Sequence, residues 1–261
     1  MRLGFVGTGT ISSAVIAGLM QSDLKIEQIT VSPRNSETAA KLAERYSRVS
    51  IGRDNQDVVD TSQVVFLAVR SQVAEAIIKE IRFRPEQHIV SFIPVFSIET
   101  ISEWIGVPAK LTRAVPLPFV AQGMGATAFY PSDETISAVF AELGTAVAVT
   151  DLQEYEVLTT SGALMGTYFG ILENAELWLT GNGVPSAQAH AYLRQLFAGL
   201  AHATSSSPHS SFSELRTEFS TKGGLNEQLF ADFQKAGGTT ALTNALTVAL
   251  ERMQGRVKRE Q

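Results

Sequence analysis

Two glycines near the start of the chain, Gly7 and Gly9, have the spacing of a loop that holds a pyrophosphate. They follow a short apolar run at residues 3–6, and apolar residues recur behind them at helical spacing through residue 19. In such a strand–turn–helix unit the first glycine permits a tight turn, and the second lets the backbone approach the phosphates. We therefore predict a dinucleotide site here, with an ordinary strand-to-helix turn as the alternative interpretation.

The helix after this turn supplies the other half of the predicted phosphate site. It begins near Thr10 and Ile11, whose backbone N–H groups have no partner within the helix and favour an anion. Ser12 stands where the dinucleotide fingerprint usually has a third glycine or an alanine. Its side chain is small enough for close packing of the helix on the strand. Together these residues predict a nucleotide site without identifying its chemistry.

The loop after the second predicted strand indicates which dinucleotide binds. NAD-binding units usually carry an acidic residue at this point to hold the ribose hydroxyls. Here Ser32 follows the strand, and Arg34 lies two residues further on. An acid would repel the 2′-phosphate of NADP, whereas a hydroxyl and a guanidinium would bind it through charge-assisted hydrogen bonds. We predict NADP, as NADPH, for the cofactor; a solvated Arg34 is the alternative.

Strands and helices alternate through the first 150 residues, and after Thr150 the pattern is helical. Alternation of this kind is typical of a doubly wound, mostly parallel sheet. We therefore predict an α/β Rossmann domain at residues 1–150, followed by an all-α domain at residues 151–261. The apolar faces of the later helices suggest burial against a second subunit.

The clearest buried strand is predicted at residues 64–69 and is followed by Arg70. In an open parallel sheet the ligand crevice lies beyond the carboxyl ends of the strands. Arg70 is therefore expected to meet the cofactor or the substrate, unless it is a surface charge. Asn55 and Asp57 are predicted to lie in a polar loop ahead of this strand.

Composition argues against several classes of function. The chain of 261 residues has a net charge of −5, which argues against a broad nucleic-acid surface. It contains no cysteine, which excludes disulfides and thiolate metal sites and agrees with a reducing cytoplasm. No apolar run approaches the ~18 residues of a membrane span, and the histidines have no metal-ligand spacing. We expect a cytoplasmic protein that binds no nucleic acid, no membrane and no metal.

These motifs resemble those of the pyrroline-5-carboxylate reductase family, which completes proline biosynthesis, and the resemblance runs nearly end to end. The opening Gly-Phe-Val-Gly-Thr-Gly-Thr-Ile is similar to the family's Gly-Phe-Ile-Gly-x-Gly-Asn-Met. Residues 67–72 resemble its Leu-Ala-Val-Lys-Pro-Gln, and residues 113–116 resemble its Arg-x-Met-Pro. The resemblance implies further cofactor contacts, which would come from Asn55 at the adenosine ribose and from Ala68, Val69 and Arg70.

The same resemblance implies a Rossmann domain followed by a helical dimerisation domain. The protein would then be a homodimer or a higher homo-oligomer. The active site would lie between the nicotinamide and helices of both subunits, and the partner in the reaction would be a small molecule.

Departures from the family pattern concentrate in the segments where the resemblance places the substrate. The family's Ser-Gly-Ser-Gly-Pro-Ala-Tyr corresponds to residues 161–167, and its Ser-Pro-Gly-Gly-Thr-Thr corresponds to residues 221–226. Leu225 replaces a threonine there, and a leucine side chain can neither donate nor accept a hydrogen bond. Substrate contacts are expected from polar and glycine residues of these two segments, namely Ser161, Thr167, Thr221, Gly223 and Gly224.

Lys222 and Asn226 are the catalytic candidates. Lys222 precedes two glycines at the start of a helix, where a carboxylate or an oxyanion would also meet free backbone N–H groups. A solvated lysine beside a turn is the alternative. We predict an oxidoreductase that transfers hydride from NADPH to a small imine or carbonyl compound, pyrroline-5-carboxylate being one possibility. A hydroxy-acid or ketone dehydrogenase, and a catalytically inactive NADP-binding sensor or scaffold, remain alternatives.

Overall fold

The computed structural model describes residues 1–256. Within that range one sheet is formed by the strands β1 Arg2–Val6, β2 Gln28–Val31, β3 Val49–Ile51, β4 Val64–Leu67, β5 His88–Ser91, β6 Lys110–Ala114, β7 Gly125–Tyr130 and β8 Gly144–Ala148. Their order across the sheet is β3-β2-β1-β4-β5-β6-β7-β8. Each neighbouring pair is parallel except β6 and β7, which are antiparallel. The predicted mostly parallel, doubly wound sheet is confirmed.

Helices alternate with these strands and cover both faces of the sheet. They are α1 Thr10–Leu19, α2 Ser36–Arg45, α3 Asn55–Thr61, α4 Ser71–Glu80, α5 Ile98–Ile105 and α6 Glu134–Ala141. Every residue of β4 is buried, as a continuous apolar run in a central parallel strand requires. On one face the rings of Phe5 and Phe66 stack with their centroids 4.6 Å apart. This packing fixes β1 beside β4, the two strands that border the predicted cofactor crevice.

The chain beyond β8 is helical as far as the structure describes it, as predicted. Its helices are α7 Leu152–Ser161, α8 Leu164–Gly181, α9 Ser186–Ser206, α10 Phe212–Glu218, α11 Leu225–Lys235 and α12 Gly238–Met253. No helix among residues 1–256 is long and apolar enough to cross a membrane. The described chain forms two compact units, one of Met1–Thr160 with residues 250–256, and one of Ser161–Ala249. The boundary after residue 150 stays a prediction, and residues 257–261 of the predicted second domain lie outside the described range.

The predicted loop at Asn55 and Asp57 was wrong, because both residues lie in the first turn of α3. Asp54 caps this helix by accepting a hydrogen bond from the Asp57 N–H at 2.7 Å. The Asp57 carboxylate in turn accepts hydrogen bonds from Arg53. Only two residues of the helix are buried, so its apolar stripe is too short to give a helical period.

The sequence predicts a helix at Tyr168–Leu179, but helix α8 begins at Leu164, four residues earlier. The prediction treated the small residues after Ser161 as a longer break, but α7 and α8 are separated by only two residues. A short 3-10 helix at Pro118–Gln122 was not predicted. Strand β7 follows it and begins at Gly125. Neither the 3-10 helix nor this first residue of β7 has a periodic apolar signal in the sequence.

Candidate functional site

A groove of about 520 Å³ opens at the carboxyl ends of the first four strands. The strand order reverses between β1 and β4, and ligands of doubly wound sheets bind at such a switch point. The groove is lined by Gly7, Thr8, Gly9, Ser32, Arg34, Asn35, Asn55, Ala68, Val69, Arg70, Gln72, Val73 and Ile77. Eight of the ten predicted cofactor residues are among them. The other two, Thr10 and Ile11, begin α1 directly after Gly9.

The two glycines of the loop are required for different reasons. Gly7 has a φ of +103°, and a Cβ there would lie 2.5 Å from the carbonyl oxygen of Ala68. Its conformation and its contact with Ala68, directly after β4, both exclude a side chain. A Cβ on Gly9 would have no protein atom within 4 Å. The space beside Gly9 therefore belongs to the groove, which leaves its backbone accessible to a ligand.

The N-terminus of α1 faces this loop with its backbone donors. Gly9 is the N-cap residue and provides no side-chain hydrogen bond to the first turn. The first-turn N–H groups of α1 therefore lack a side-chain acceptor and keep their partial positive charge for an anion. Ser12 is fully buried, and its hydroxyl donates to the Gly7 carbonyl at 2.6 Å. A serine at the third fingerprint position thus connects helix α1 to the glycine loop by a hydrogen bond.

Ser32 is buried, with 1% of its surface exposed, and its hydroxyl holds the glycine loop. The Oγ accepts a hydrogen bond from the Gly7 N–H at 2.9 Å and lies 3.1 Å from the Thr8 hydroxyl. Thr8 in turn donates to the Ser32 carbonyl at 2.8 Å. The prediction from the sequence used this hydroxyl for the 2′-phosphate of NADP. In the structure this hydroxyl contacts Gly7 and Thr8, and it thereby supports the glycine loop.

Thr8 and Asn35 are lining residues that sequence reasoning missed. The Asn35 side chain donates to the Thr8 carbonyl at 3.0 Å and also caps α2. The signal in the sequence was the Asn-Ser-Glu start of α2, which is typical of an N-cap. Through Ser32 and Asn35, the loop after β2 is therefore tied at two points to the glycine loop after β1.

Arg34 and Arg70 place positive charge on the groove. Both side chains are exposed, and within residues 1–256 no carboxylate lies within ion-pair distance of either. Arg34 lies between the two residues that hold the glycine loop, and Arg70 is the N-cap residue of α4. Both guanidinium groups are therefore available to phosphate or carboxylate oxygens.

The predicted substrate and catalytic residues all lie in the second compact unit. Ser161 ends α7, Thr167 lies in the first turn of α8, and the turn 221–224 precedes α11. Gly223 has a φ of +73°, and its N–H donates to the Glu227 carboxylate at 2.6 Å. Sequence reasoning missed this carboxylate. It accepts the hydrogen bond of the Gly223 N–H, one of the backbone donors that the prediction assigned to a ligand.

The two catalytic candidates differ in their surroundings. The Asn226 side chain donates to the Phe219 carbonyl at 2.6 Å, so its amide helps to hold the turn before α11. Lys222 is exposed, and no carboxylate of the described residues lies within ion-pair distance of its Nζ. Leu225, which replaces the polar residue of the family motif, is 83% exposed. The charge of Lys222 is thus free in this unit, whereas the amide of Asn226 is engaged.

A second polar cluster lies at the opposite, amino end of the parallel strands. His88 begins β5, and its ring nitrogens lie 3.1 Å from the Thr112 hydroxyl and 3.7 Å from the Asp133 carboxylate. Lys110 forms an ion pair with the same carboxylate. Burial lowers the pKa of His88 below its ordinary value of 6.5, although Asp133 opposes that shift. Among residues 1–256, no group of three His, Asp or Glu side chains is placed to hold a metal ion.

Two family models match the chain in succession. Residues 2–94 match the model described as NADP oxidoreductase coenzyme F420-dependent. Residues 154–256 match the model described as pyrroline-5-carboxylate reductase dimerisation. A pyrroline-5-carboxylate reductase from Pseudomonas aeruginosa is 25% identical over 262 residues, which cover 96% of this chain and 95% of the relative.

Solved structures show the same fold. A pyrroline-5-carboxylate reductase from Coxiella burnetii matches with a TM-score of 0.85 at 21% identity, covering 99% of this chain and 98% of that chain. The pyrroline carboxylate reductase of Plasmodium falciparum with NADP bound matches with a TM-score of 0.81 at 16% identity, covering 98% of both chains. The likeness extends over the whole of each chain, so the order of the α/β and helical parts is shared.

Proposed function

We propose that the chain is a member of the pyrroline-5-carboxylate reductase family of NAD(P)H-dependent oxidoreductases and that it reduces a small cyclic imine with NADPH. The observation that carries the proposal is the groove at the switch point of the sheet, with its glycine loop, helix N-terminus and two arginines that form no ion pair within residues 1–256. Pyrroline-5-carboxylate is the first substrate to test. The product would be proline.

The residues of the groove support a specific placement of the cofactor. The pyrophosphate lies against Gly9 and the N-terminus of α1, where Thr10 and Ile11 offer backbone donors. Arg34 binds the 2′-phosphate of the adenosine, and Asn55 lies near its ribose. Ser32 contributes by fixing Gly7, while Ala68, Val69 and Arg70 line the path toward the nicotinamide.

Hydride transfer requires the protein to hold the imine carbon against the nicotinamide in a dry site. For this chain we assign substrate binding to the polar and glycine residues of the second unit, namely Ser161, Thr167, Thr221, Gly223 and Gly224. Lys222 binds the substrate carboxylate, because its ammonium group is exposed and unpaired in the described structure. Asn226 keeps the turn that carries Lys222 in place through its bond to Phe219.

We propose that the protein is a homodimer assembled through its helical unit. Several large apolar side chains of that unit are mostly exposed in the single chain, among them Phe169 at 60%, Trp178 at 67% and Tyr192 at 67%. Surfaces of this kind mark protein contacts. The match to a dimerisation model over residues 154–256 supports homo-oligomerisation. Light scattering of the purified protein would give twice the chain mass for a dimer, and a mass of one chain would refute it.

The proposed function is tested by following NADPH absorbance with a panel of cyclic imines and 2-oxo acids. Turnover of pyrroline-5-carboxylate, with little reaction of 2-oxo acids, is expected. Turnover of 2-oxo acids or ketones alone would identify a hydroxy-acid or ketone dehydrogenase. Tight NADPH binding without turnover of any compound would identify a sensor or scaffold. We place the protein in the cytoplasm, which its lack of cysteine supports.

A further inference from the structure

Arg113 of β6 is a buried charge without a direct ion pair among residues 1–256, although it is near enough to Glu99 to help lower the pKa of that carboxyl. It is 4% exposed, and within residues 1–256 no carboxylate lies within ion-pair distance of its guanidinium. Its Nε is buried and has no hydrogen-bond partner in the described structure. Taking a charge out of water is costly, so an arginine in this position needs a reason beyond packing.

Two contacts hold the guanidinium in place. Its Nη2 donates to the carbonyl oxygen of Pro94 at 2.7 Å. Its central carbon lies 5.0 Å from the centroid of the Tyr155 ring, which is the distance of a cation–π contact. Tyr155 is itself fully buried, and its ring therefore gives the guanidinium a rigid base. Since a proline has no backbone N–H, the carbonyl is the only polar backbone group that Pro94 offers.

Pro94 lies in the loop that joins β5 to α5, at the carboxyl end of the sheet. The groove described above ends on β4, and β5 is the next strand in the sheet. A dinucleotide on a doubly wound sheet spans two mononucleotide-binding halves, so its nicotinamide half extends beyond the switch point toward this loop. Within the loop Val95 is 55% exposed, whereas Phe96 packs edge-on against Trp104.

We propose that Arg113 is a positioning residue, which fixes the loop at residues 92–97 through the Pro94 carbonyl and so sets the surface that faces the nicotinamide ring. The inference rests on the proposed function, because it requires a nicotinamide cofactor in the groove. Arg113 touches neither cofactor nor substrate in this role. Its effect passes through the backbone of the loop, and it is therefore expected on hydride transfer rather than on cofactor affinity.

Arg84 provides a control with similar hydrogen bonds at the other end of the sheet, in an exposed position and with the Asp60 carboxylate 4.0 Å from its guanidinium. It lies before β5, and its guanidinium donates to the carbonyl oxygens of Asp60 at 3.1 Å and Ser62 at 2.7 Å. Arg84→Lys removes guanidinium–carbonyl bonds of the same kind at a place remote from the groove. Any loss of stability common to both arginines will appear in both variants. A change confined to Arg113→Lys reports on the loop.

The experiment compares the wild type, Arg113→Lys and Arg84→Lys at matched folded concentrations. The measurements are kcat and KM with pyrroline-5-carboxylate, the dissociation constant of NADPH, and the emission spectrum of bound NADPH. For Arg113→Lys we expect kcat to fall about tenfold or more, since a misplacement of about 1 Å can cost on the order of a hundredfold. Its NADPH affinity should stay within about twofold of the wild type, and the bound nicotinamide should show a changed emission spectrum. Arg84→Lys should match the wild type in all three readouts.

The inference is overturned if Arg113→Lys has the kcat and the NADPH emission of the wild type, or if Arg84→Lys changes both by the same amount. Absence of turnover by the wild type refutes the proposed substrate instead, and the emission of bound NADPH then decides the role of Arg113 alone. If Arg113→Lys does not fold, Tyr155→Leu replaces it. This variant removes the ring beneath the guanidinium and should change kcat and emission in the same direction; unchanged values would overturn the inference.

Discussion

Replacing Ser32 by alanine tests whether this residue acts on the cofactor directly or through the glycine loop. In the structure its Oγ accepts the Gly7 N–H at 2.9 Å, inside a site where Ser32 is 1% exposed. Alanine removes the acceptor and leaves the Gly7 N–H facing an apolar methyl group. Thr8 keeps its bond to the carbonyl of residue 32, and Asn35 keeps its bond to the Thr8 carbonyl, so the loop loses only the contacts of the Ser32 hydroxyl.

The expected loss of stability follows from the unpaired donor. A buried donor left without a partner costs about 1–3 kcal/mol, and because the Gly7 contact is only partly buried we expect about 1–2 kcal/mol. For a chain of this length that corresponds to a decrease in Tm of about 2–4 °C per kcal/mol. If holding the loop in its binding conformation costs a further amount of the same size, both NADPH and NADH should bind about 5- to 30-fold more weakly.

The assay is a pair of fluorescence titrations with NADPH and NADH, together with thermal unfolding of the free protein. Ser36→Ala is the matched control, because Ser36 begins α2 close by and is exposed. It should change stability by no more than about 0.5 kcal/mol. If Ser32→Ala weakens NADPH but leaves both NADH binding and Tm unchanged, the hydroxyl contacts the 2′-phosphate. The argument from the hydrogen bond to Gly7 would then be refuted.

Three further predictions follow from the other charged groups. Arg34→Ala should weaken NADPH about 10- to 100-fold, the value of a lost charge-assisted contact, and equal effects on NADPH and NADH in titrations would contradict the assignment. Lys222→Ala should raise KM for the substrate about fivefold, as for an exposed ion pair, and steady-state kinetics with unchanged KM would show a surface lysine. Burial lowers the pKa of His88, so the unfolded chain binds a proton at higher pH than the folded chain does. The free energy of unfolding should therefore decrease as pH falls below 6.5, and urea titrations should show a smaller decrease for His88→Gln, which no longer titrates beside Asp133 and Lys110.

Periodicity and glycine spacing predicted the parts of the fold that depend on neighbouring residues. The turn at Gly7 and Gly9 and the buried strand β4 each carry their signal within a few positions of the chain. The antiparallel pairing of β6 with β7 was not predicted, because an apolar pattern does not encode strand direction. Helix α3 was missed for a different reason, since its cap and first turn are polar and look like a loop.

In the candidate site, too, the sequence predicts which residue types are present but not the contacts between residues that are far apart in the chain. Residue types placed Ser32 and Arg34 at the groove, but only the folded chain shows that the serine hydroxyl faces Gly7, 25 residues away. The contact between Arg113 and Pro94 joins a strand to a loop 19 residues away in the sequence and has no motif of its own. Likewise, the carboxylate of Glu227 reaches back to Gly223, and the sequence pattern does not distinguish that bond from a solvated glutamate.

The glycine loop after β1 and the loop after β2, which carries Arg34, are joined by hydrogen bonds through Ser32 and Asn35. A change in the backbone of one loop is therefore expected to affect the other. Ser32 accepts a hydrogen bond from the Gly7 N–H, and Asn35 donates one to the Thr8 carbonyl, so residues on both sides of Arg34 are bonded to the glycine loop. A change at position 34 alters only a side chain that projects into the groove. A change at position 32 or 35 moves the backbone that carries the phosphate donors. On the proposed placement of the cofactor, we expect a change at Arg34 alone to alter the preference for NADPH, whereas replacing the whole loop by that of an NAD-dependent relative should weaken every dinucleotide.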